Sequence, residues 1–218
     1  MSATCGTCGA AFEVSAQQQS KFPGWTPSQC PKCWRASRPG SGLVSRSGGG
    51  GRRQGSLVEE NLTTRQVLAR YTEGPTDGLF TDGSASPNPG PGGWGAVWVV
   101  DGKVVASDHG HAPYTTNNRM ELQAIAAGIE LVPPGTSVTV YSDSRLAVDT
   151  LTTWARSWAA AGWKRKSGPI KNLDLIKPLH AAVSARPEIQ LQWIAAHAGN
   201  RWNEYADSLS TAHLRDEV

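Results

Sequence analysis

The chain has no apolar run approaching the ~18 residues a membrane helix needs. Nor does it open with a basic segment followed by an apolar stretch. A membrane span and a secretory leader are therefore not expected, and the expected location is cytoplasmic. Cysteine is missing from everything after residue 33: Cys5, Cys8, Cys30 and Cys33 all lie near the start. Disulfides therefore cannot staple the larger part of the chain. Internal repeats are missing too, which excludes a solenoid. What remains is 218 residues, enough for one well-packed domain and a small appendage.

Charge is scarce as a net quantity, +3, but it is unevenly spread. Residues 1–74 hold nine Lys/Arg against four Asp/Glu, a balance of about +5. Residues 75–218 hold the remaining twelve against fourteen, about −2. The basic half can attract phosphates. The acidic remainder suits a nucleic-acid binder only if some of its carboxylates hold cations.

Three regions follow from composition. Residues 1–38 form a cysteine-bearing head. Residues 39–74 read as a linker, because the stretch SGLVSRSGGGGRRQGS (41–56) has almost nothing to bury. Within that linker, 57–73 has the composition of a short helix. Residues 75–218 form the main domain. Its periodicity gives strands at Leu79–Ser84, Gly93–Val100 and Lys103–Ser107, the last two joined by the hairpin dipeptide Asp101-Gly102. Leu122, Ile125, Ala126 and Ile129 mark an amphipathic helix over Asn117–Val132 that Pro133-Pro134-Gly135 ends. A strand at Ser137–Tyr141 and a helix at Ser144–Thr153 follow. The chain continues with a helix at Leu173–Ala185, interrupted or preceded by a bend at Pro178, a strand at Ile189–Ala195 and a helix at Asn203–Leu214. Three hairpin-linked strands and then strands alternating with helices imply an α/β fold: a mixed five-stranded sheet flanked by helices.

Four carboxylates sit where such a fold can build a site. Asp82 ends the first strand of the main domain before a Gly-rich loop. Glu121 lies in the first turns of a helix, Asp143 follows a strand and Asp207 lies off the apolar face of the last helix. Open α/β sheets bind ligands beyond the carboxyl ends of their strands. Taken singly, Asp143 is also a plausible helix cap and Glu121 a residue that favours its helix N-terminus. In the head, Cys5-x2-Cys8 and Cys30-x2-Cys33 have the spacing of a tetrathiolate zinc site. Two disulfides are the alternative. A head this small needs a metal, one structural Zn2+, to fold.

Over 78–212 the chain resembles type 1 ribonucleases H. TDGSASPNPGPGGWG (Thr81 to Gly95) is similar to that family's opening strand and Gly-rich loop, TNNRMEL (Thr116 to Leu122) to its first helix start, and YSDS (Tyr141 to Ser144) to a later strand end. Trp154, Trp158, Trp163 and Lys164 resemble its basic protrusion, and HAGNRWNEYAD (His197 to Asp207) its closing motif. The head, CGTCGAAFEV…QCPKCW, resembles small bacterial zinc ribbons.

The resemblance implies an endoribonuclease that cuts the RNA strand of RNA–DNA hybrids and leaves 5′-phosphate and 3′-hydroxyl ends. It implies Asp82, Glu121, Asp143 and Asp207 as the catalytic carboxylates around two Mg2+ (or Mn2+) ions, with His197 near the scissile phosphate as a proton carrier or an aid to product release. It implies hybrid contacts by Asn88, Thr116, Asn117 and Asn118. An Arg that grips phosphate in some relatives would fall at Tyr114. The protrusion would contribute Trp154, Trp158, Trp163, Lys164, Arg165, Lys166 and Lys171. Asn88 and Asn117 can equally serve as turn and cap residues, and at least one tryptophan is expected to be purely structural. The expected state is a monomer. The head would add affinity for the hybrid or bind a protein partner.

Overall fold

A computed structural model describes residues 2–14, 28, 30, 32–33, 61–165 and 167–215. The chain divides into two compact units, Met1–Ser56 and Leu57–Val218. In the first, strands β1 (Ser2–Thr4) and β2 (Ala11–Glu13) pair antiparallel, with Ser2 opposite Glu13. Gly9, at φ 69, turns the chain between them, and its N–H donates to Cys5 O at 2.9 Å.

The second unit opens with α1 (Thr64–Arg70), which forms within the stretch read as a short helix. This unit therefore begins upstream of Pro75. The sheet strands are β3 (Gly78–Ala85), β4 (Gly90–Val100), β5 (Lys103–Thr115), β6 (Val138–Ser142) and β7 (Ile189–Trp193). Their order is β5-β4-β3-β6-β7. The first three pair antiparallel, and β6 joins β3, and β7 joins β6, in parallel. This is the expected ribonuclease H-like α/β sheet. Asp101 and Gly102, at φ 50 and 66, form the β4–β5 hairpin turn, and Asp77 Oδ1 accepts the Asp101 N–H at 2.9 Å.

The strand β5 runs eight residues beyond its expected end at Ser107. As an edge strand it is mostly exposed, so the Asp108–His111 segment shows no apolar alternation to read. The remaining helices are α2 (Asn117–Leu131), α3 (Arg145–Asp149), α4 (Ala155–Ala160), α5 (Leu173–Ser184) and α6 (Arg201–Ser210). A π-helical turn, Thr150–Trp154, joins α3 to α4. Pro178 does not interrupt α5, which runs as one helix through it. Its missing N–H costs one helical bond, while Ile176 and Leu179 on either side are buried and hold the helix to the core.

Strand alternation divides the core in two. Leu79 packs with Leu122, Ile125 and Ile129 of α2 and with Ile176 and Leu179 of α5. Its neighbour Phe80 points the other way, to Trp202, Ala206 and Leu209 of α6. Phe80 also stacks on Tyr141 at 4.9 Å between centroids. Each fully buried aliphatic or aromatic side chain of this kind stabilises the fold by about 1.5–3 kcal/mol. Among the described residues, no helix is long and apolar enough to cross a membrane.

Candidate active site

Glycines decide how closely the helices approach the central strands. A Cβ on Gly83 would lie 2.2 Å from Glu121 N and from Met120 C, so α2 rests directly on the β3 backbone. On the other face, Cβ atoms on Gly93 and Gly95 would strike Ser210 O at 2.2 Å and Leu209 Cβ at 2.4 Å, so α6 rests on β4. Asp82 pairs with Gly95 across the β3–β4 ladder. Two helices are thereby pressed against the strand that carries Asp82.

Asp82, Glu121 and Asp143 each offer a carboxylate oxygen, and these oxygens lie within 4.8 Å of one another. Asp82 and Glu121 are buried, and Asp82 Oδ2 is buried without a hydrogen-bond partner. Ser142 Oγ donates to Glu121 Oε2 at 3.5 Å. Asn203 Nδ2 donates to Asp143 Oδ2 at 3.4 Å, and Trp193 Nε1 donates to the Asp143 carbonyl at 3.0 Å. The Arg145 guanidinium lies over the Trp193 ring, 5.1 Å from its centroid.

Asp207 stands on α6, where it groups with His197 and Glu204 in a second set, also within 4.8 Å. Its charge reaches both Asp82 and Glu121.

The electrostatics follow from this crowding. Burial, then the Asp143 and Asp207 charges, push the Asp82 carboxyl well above the usual range. Burial, then Asp82 and Asp143, do the same to Glu121. Burial raises Asp143 less, because the Asn203 amide and the nearby His197 oppose it. Crowded carboxylates with an orphaned buried oxygen are a poor fit for solvent alone. As hard oxygen donors they fit a divalent cation of the Mg2+ type.

Two residues of the site were not singled out from the sequence. Glu204 is buried, and Glu204 Oε1 accepts the Gly199 N–H at 3.2 Å, which ties the His197 loop to α6. Its signal was available: it sits three residues before Asp207, one helical turn away. Asn203 is also buried, and only the tertiary fold brings it to Asp143.

The expected substrate contacts are only partly gathered. Asn88 Oδ1 accepts the Asn117 N–H at 3.4 Å, and Asn117 Oδ1 accepts the Ala85 N–H at 2.7 Å. Asn88 thus takes up the first N–H of α2, Asn117 ties that helix start to the end of β3 and is not itself a helix cap, and Thr116 occupies the α2 N-cap position. Asn118, Trp154, Trp158, Arg165 and Lys171 line one cavity of about 170 Å3. Trp154 is the most exposed of the three protrusion tryptophans, at 39 %. Trp158 and Trp163 pack against the core, and Trp163 meets His180 edge-on. Arg165 donates to the Gly168 and Pro169 carbonyls, which leaves its guanidinium partly committed to its own loop. Lys164 is exposed, and Lys166 lies outside the described residues.

In the head, the four cysteine sulfurs lie within 4.8 Å of one another, and all four are free thiols. Cys8 Sγ and Cys30 Sγ are 3.8 Å apart, and Cys30 N donates to Cys5 Sγ at 3.1 Å. That backbone bond is the main cause that lowers the Cys5 thiol to about 6. Thiol hydrogen bonds, first from Cys8, hold Cys33 up at about 12. Four thiols gathered this closely have the donor set of a tetrathiolate metal site.

The fold and this acidic centre define a class, the nucleases of ribonuclease H-like architecture. The RNase H family model matches residues 76–215, and the chain belongs to that family. A ribonuclease H of Methylorubrum extorquens (strain PA1) is 41% identical over 140 residues, which are 64% of this chain and 60% of that protein. A ribonuclease H of Paramagnetospirillum magneticum is 41% identical over 139 residues, 63% of this chain and 89% of that one. Among solved structures, LC9-RNase H1, described as a type 1 RNase H with the type 2 active-site motif, is 33% identical with a TM-score of 0.51. That likeness covers 65% of this chain and 74% of the LC9 chain.

Proposed function

We propose that this protein hydrolyses the RNA strand of RNA–DNA hybrids, as a type 1 ribonuclease H that leaves 5′-phosphate and 3′-hydroxyl ends. The observation that carries the reading is the meeting of Asp82, Glu121 and Asp143 within 4.8 Å, with Asp207 close enough to load them. These four would hold two divalent cations, Mg2+ or Mn2+. Such ions supply Lewis-acid polarisation of the phosphate and stabilise charge on the leaving oxygen.

The chain's own groups do the rest. Ser142 orients Glu121, while Asn203 and Trp193 fix Asp143 on either side of its Cα. His197, 57% exposed in its side chain and with Nδ1 4.0 Å from Glu204 Oε2, would carry a proton at the rim or help product leave. Asn88, Thr116, Asn117 and Asn118 would meet the hybrid, since short amides and hydroxyls suit 2′-hydroxyls in a wide minor groove. Trp154, Lys164 and Lys171 suit the sugar–phosphate backbone of the hybrid.

Cys5, Cys8, Cys30 and Cys33 would hold one structural Zn2+. A basic, tethered head would then raise hybrid affinity through effective concentration, with a protein partner as the alternative. A cytoplasmic monomer is the setting this reading assumes.

The test is digestion of an end-labelled hybrid in Mg2+, beside duplex RNA and duplex DNA, with Asp82→Asn and Asp207→Asn as partners. Hybrid-specific cleavage lost in both variants is expected. Full activity in Asp82→Asn, or no cleavage of the hybrid by the wild type, refutes the reading.

A further inference from the structure

Residues 61–75 lie upstream of the region that matches the family, yet they pack on the helix that carries Asp207. We propose that the segment from Asn61 to Gly74 is a brace that positions the His197 loop, and that Val67 and Gly74 are positioning residues for turnover. The proposal rests on the reading of His197 given above.

α1 has only seven residues, too few to be stable alone. It is locally well specified. Thr63 and Gln66 form a capping box, with Gln66 Oε1 accepting the Thr63 N–H at 2.8 Å and Thr63 Oγ1 accepting the Gln66 N–H at 3.3 Å. Its stability must otherwise come from packing. Val67 is 1% exposed, and Leu68 packs against the cluster that contains Trp202 and Leu209 of α6. At the far end of α6 the Arg215 guanidinium donates to Asn61 Oδ1, Leu62 O and Ser208 O, which clamps the start of the segment to the helix end.

The strap after α1 reaches the loop itself. Glu73 forms a parallel bridge with Asn200, and Glu73 O accepts the Arg201 N–H at 2.8 Å. That N–H is the first of α6. Helix starts leave such donors without intrahelical partners, and the Asn200 side chain makes no cap bond here. A carbonyl from the upstream segment therefore does the capping. Arg201 Nη2 also donates back to Leu68 O at 3.5 Å. Gly74, at φ 110, sits flat against Asn200: a Cβ there would lie 2.9 Å from Asn200 Oδ1 and 3.3 Å from Asn200 Cα. The loop it supports is conformationally demanding, with His197 at φ 47 and Gly199 at φ 78. Besides this strap, the loop is tied by the Gly199–Glu204 bond within its own motif. Without the brace His197 would sample more positions relative to Asp143.

The experiment uses the full chain carrying Gly74→Ala or Val67→Ala, alone and combined with His197→Ala. Steady-state cleavage of the hybrid is measured in Mg2+ at a temperature where every variant is folded by circular dichroism. Each single variant should lose kcat by about tenfold, within the range that a sub-ångström to 1 Å misplacement produces, with KM nearly unchanged. In the His197→Ala background the same substitutions should change kcat little, because the group they position is gone. Amide exchange should speed up at 198–202 in Gly74→Ala. Unchanged kcat with only a lower Tm overturns the brace, as does a tenfold loss that persists without His197, or unchanged exchange in the loop. A wild type that leaves the hybrid uncut sinks the functional reading instead, and the exchange measurement still judges the brace.

Discussion

Gly83→Ala is the most discriminating single change for the way this fold makes its site. The added Cβ would stand 2.2 Å from Glu121 N and Met120 C and 2.6 Å from Met120 O, all backbone atoms. Ordinary contact begins at 3.4 Å, so the helix start must retreat by 3.4 minus 2.2, or 1.2 Å. It cannot simply slide, because further along α2 Gly128 already sits against Leu79 and Ala96. The start must lift, and Glu121 moves away from Asp82 with it. Overpacking of this kind costs about 1–3 kcal/mol. For a unit of this size each kcal/mol lowers Tm by roughly 2–4 °C. A 1 Å displacement of a reacting group is worth about a hundredfold in rate. The variant should therefore melt several degrees early, need more Mg2+ and cleave the hybrid at about a hundredth of the wild-type rate. Gly128→Ala is the control. Its Cβ would meet Leu79 methyls at 3.0 Å and Ala96 Cβ at 3.1 Å, far from Asp82. The helix gains about 1 kcal/mol of propensity from Ala, which offsets the tighter contact. If Gly83→Ala cleaves at the wild-type rate with the wild-type Mg2+ dependence, close approach of α2 to β3 is not what assembles the carboxylates.

Three further outcomes follow from the same geometry. The folded Asp82 carboxyl is raised above its unfolded value of about 3.9. Its contribution to stability is therefore full in acid and is lost as pH climbs through the raised value. Without divalent ions, Asp82→Asn should then raise Tm near neutral pH and flatten its decline with pH while abolishing cleavage; an equal or lower Tm in titrations with chelator present would contradict the burial argument. Metal analysis of the purified chain should find about one zinc, lost in Cys5→Ser/Cys30→Ser, with hybrid cleavage by the Leu57–Val218 unit largely retained; zinc bound stoichiometrically by the double variant would dismiss the tetrathiolate. Lys164→Ala/Lys171→Ala should raise KM for the hybrid and reduce the steepness of its salt dependence, since each lost phosphate contact lowers the slope by about one; an identical salt slope would remove these lysines from the interface.

Much of this was legible from residue order, for reasons that differ by element. The α2 stripe and the Asp101-Gly102 turn are local: side-chain period and positive φ at two adjacent residues specify them. The reach of β5 was not local. Its ladder with β4 continues to Thr115 through backbone bonds, which no side-chain pattern encodes on an exposed edge. Pro178 was misleading for a related reason. A rule about one lost hydrogen bond was outweighed by burial of Ile176 and Leu179 on the same helix. Of the protrusion residues, composition could count three tryptophans and several cations. It could not tell that Trp163 turns inward to His180 while Trp154 turns outward.

The four carboxylates illustrate the limit most directly. Their types were readable, as were the place of Asp143 after a strand and those of Glu121 and Asp207 on helices, but Asp82 stands inside β3 and not at its end, and the division of labour that the fold imposes was not readable. Asp82, Glu121 and Asp143 form a tight trio on one side. Asp207 belongs to a second cluster, with His197 and Glu204, on a helix whose first N–H is capped from upstream. Asp82 stands in β3, Asp143 directly after β6 and Glu121 in the first turns of α2, so the sheet and the helix lying on it set the trio. In the second cluster Glu204 and Asp207 stand on α6, and His197 comes from a loop with two left-handed residues. Of the two clusters, only His197 therefore takes its position from a loop and not from a strand or helix packed on the sheet, which is why a change to that loop's support should alter turnover while leaving the trio in place.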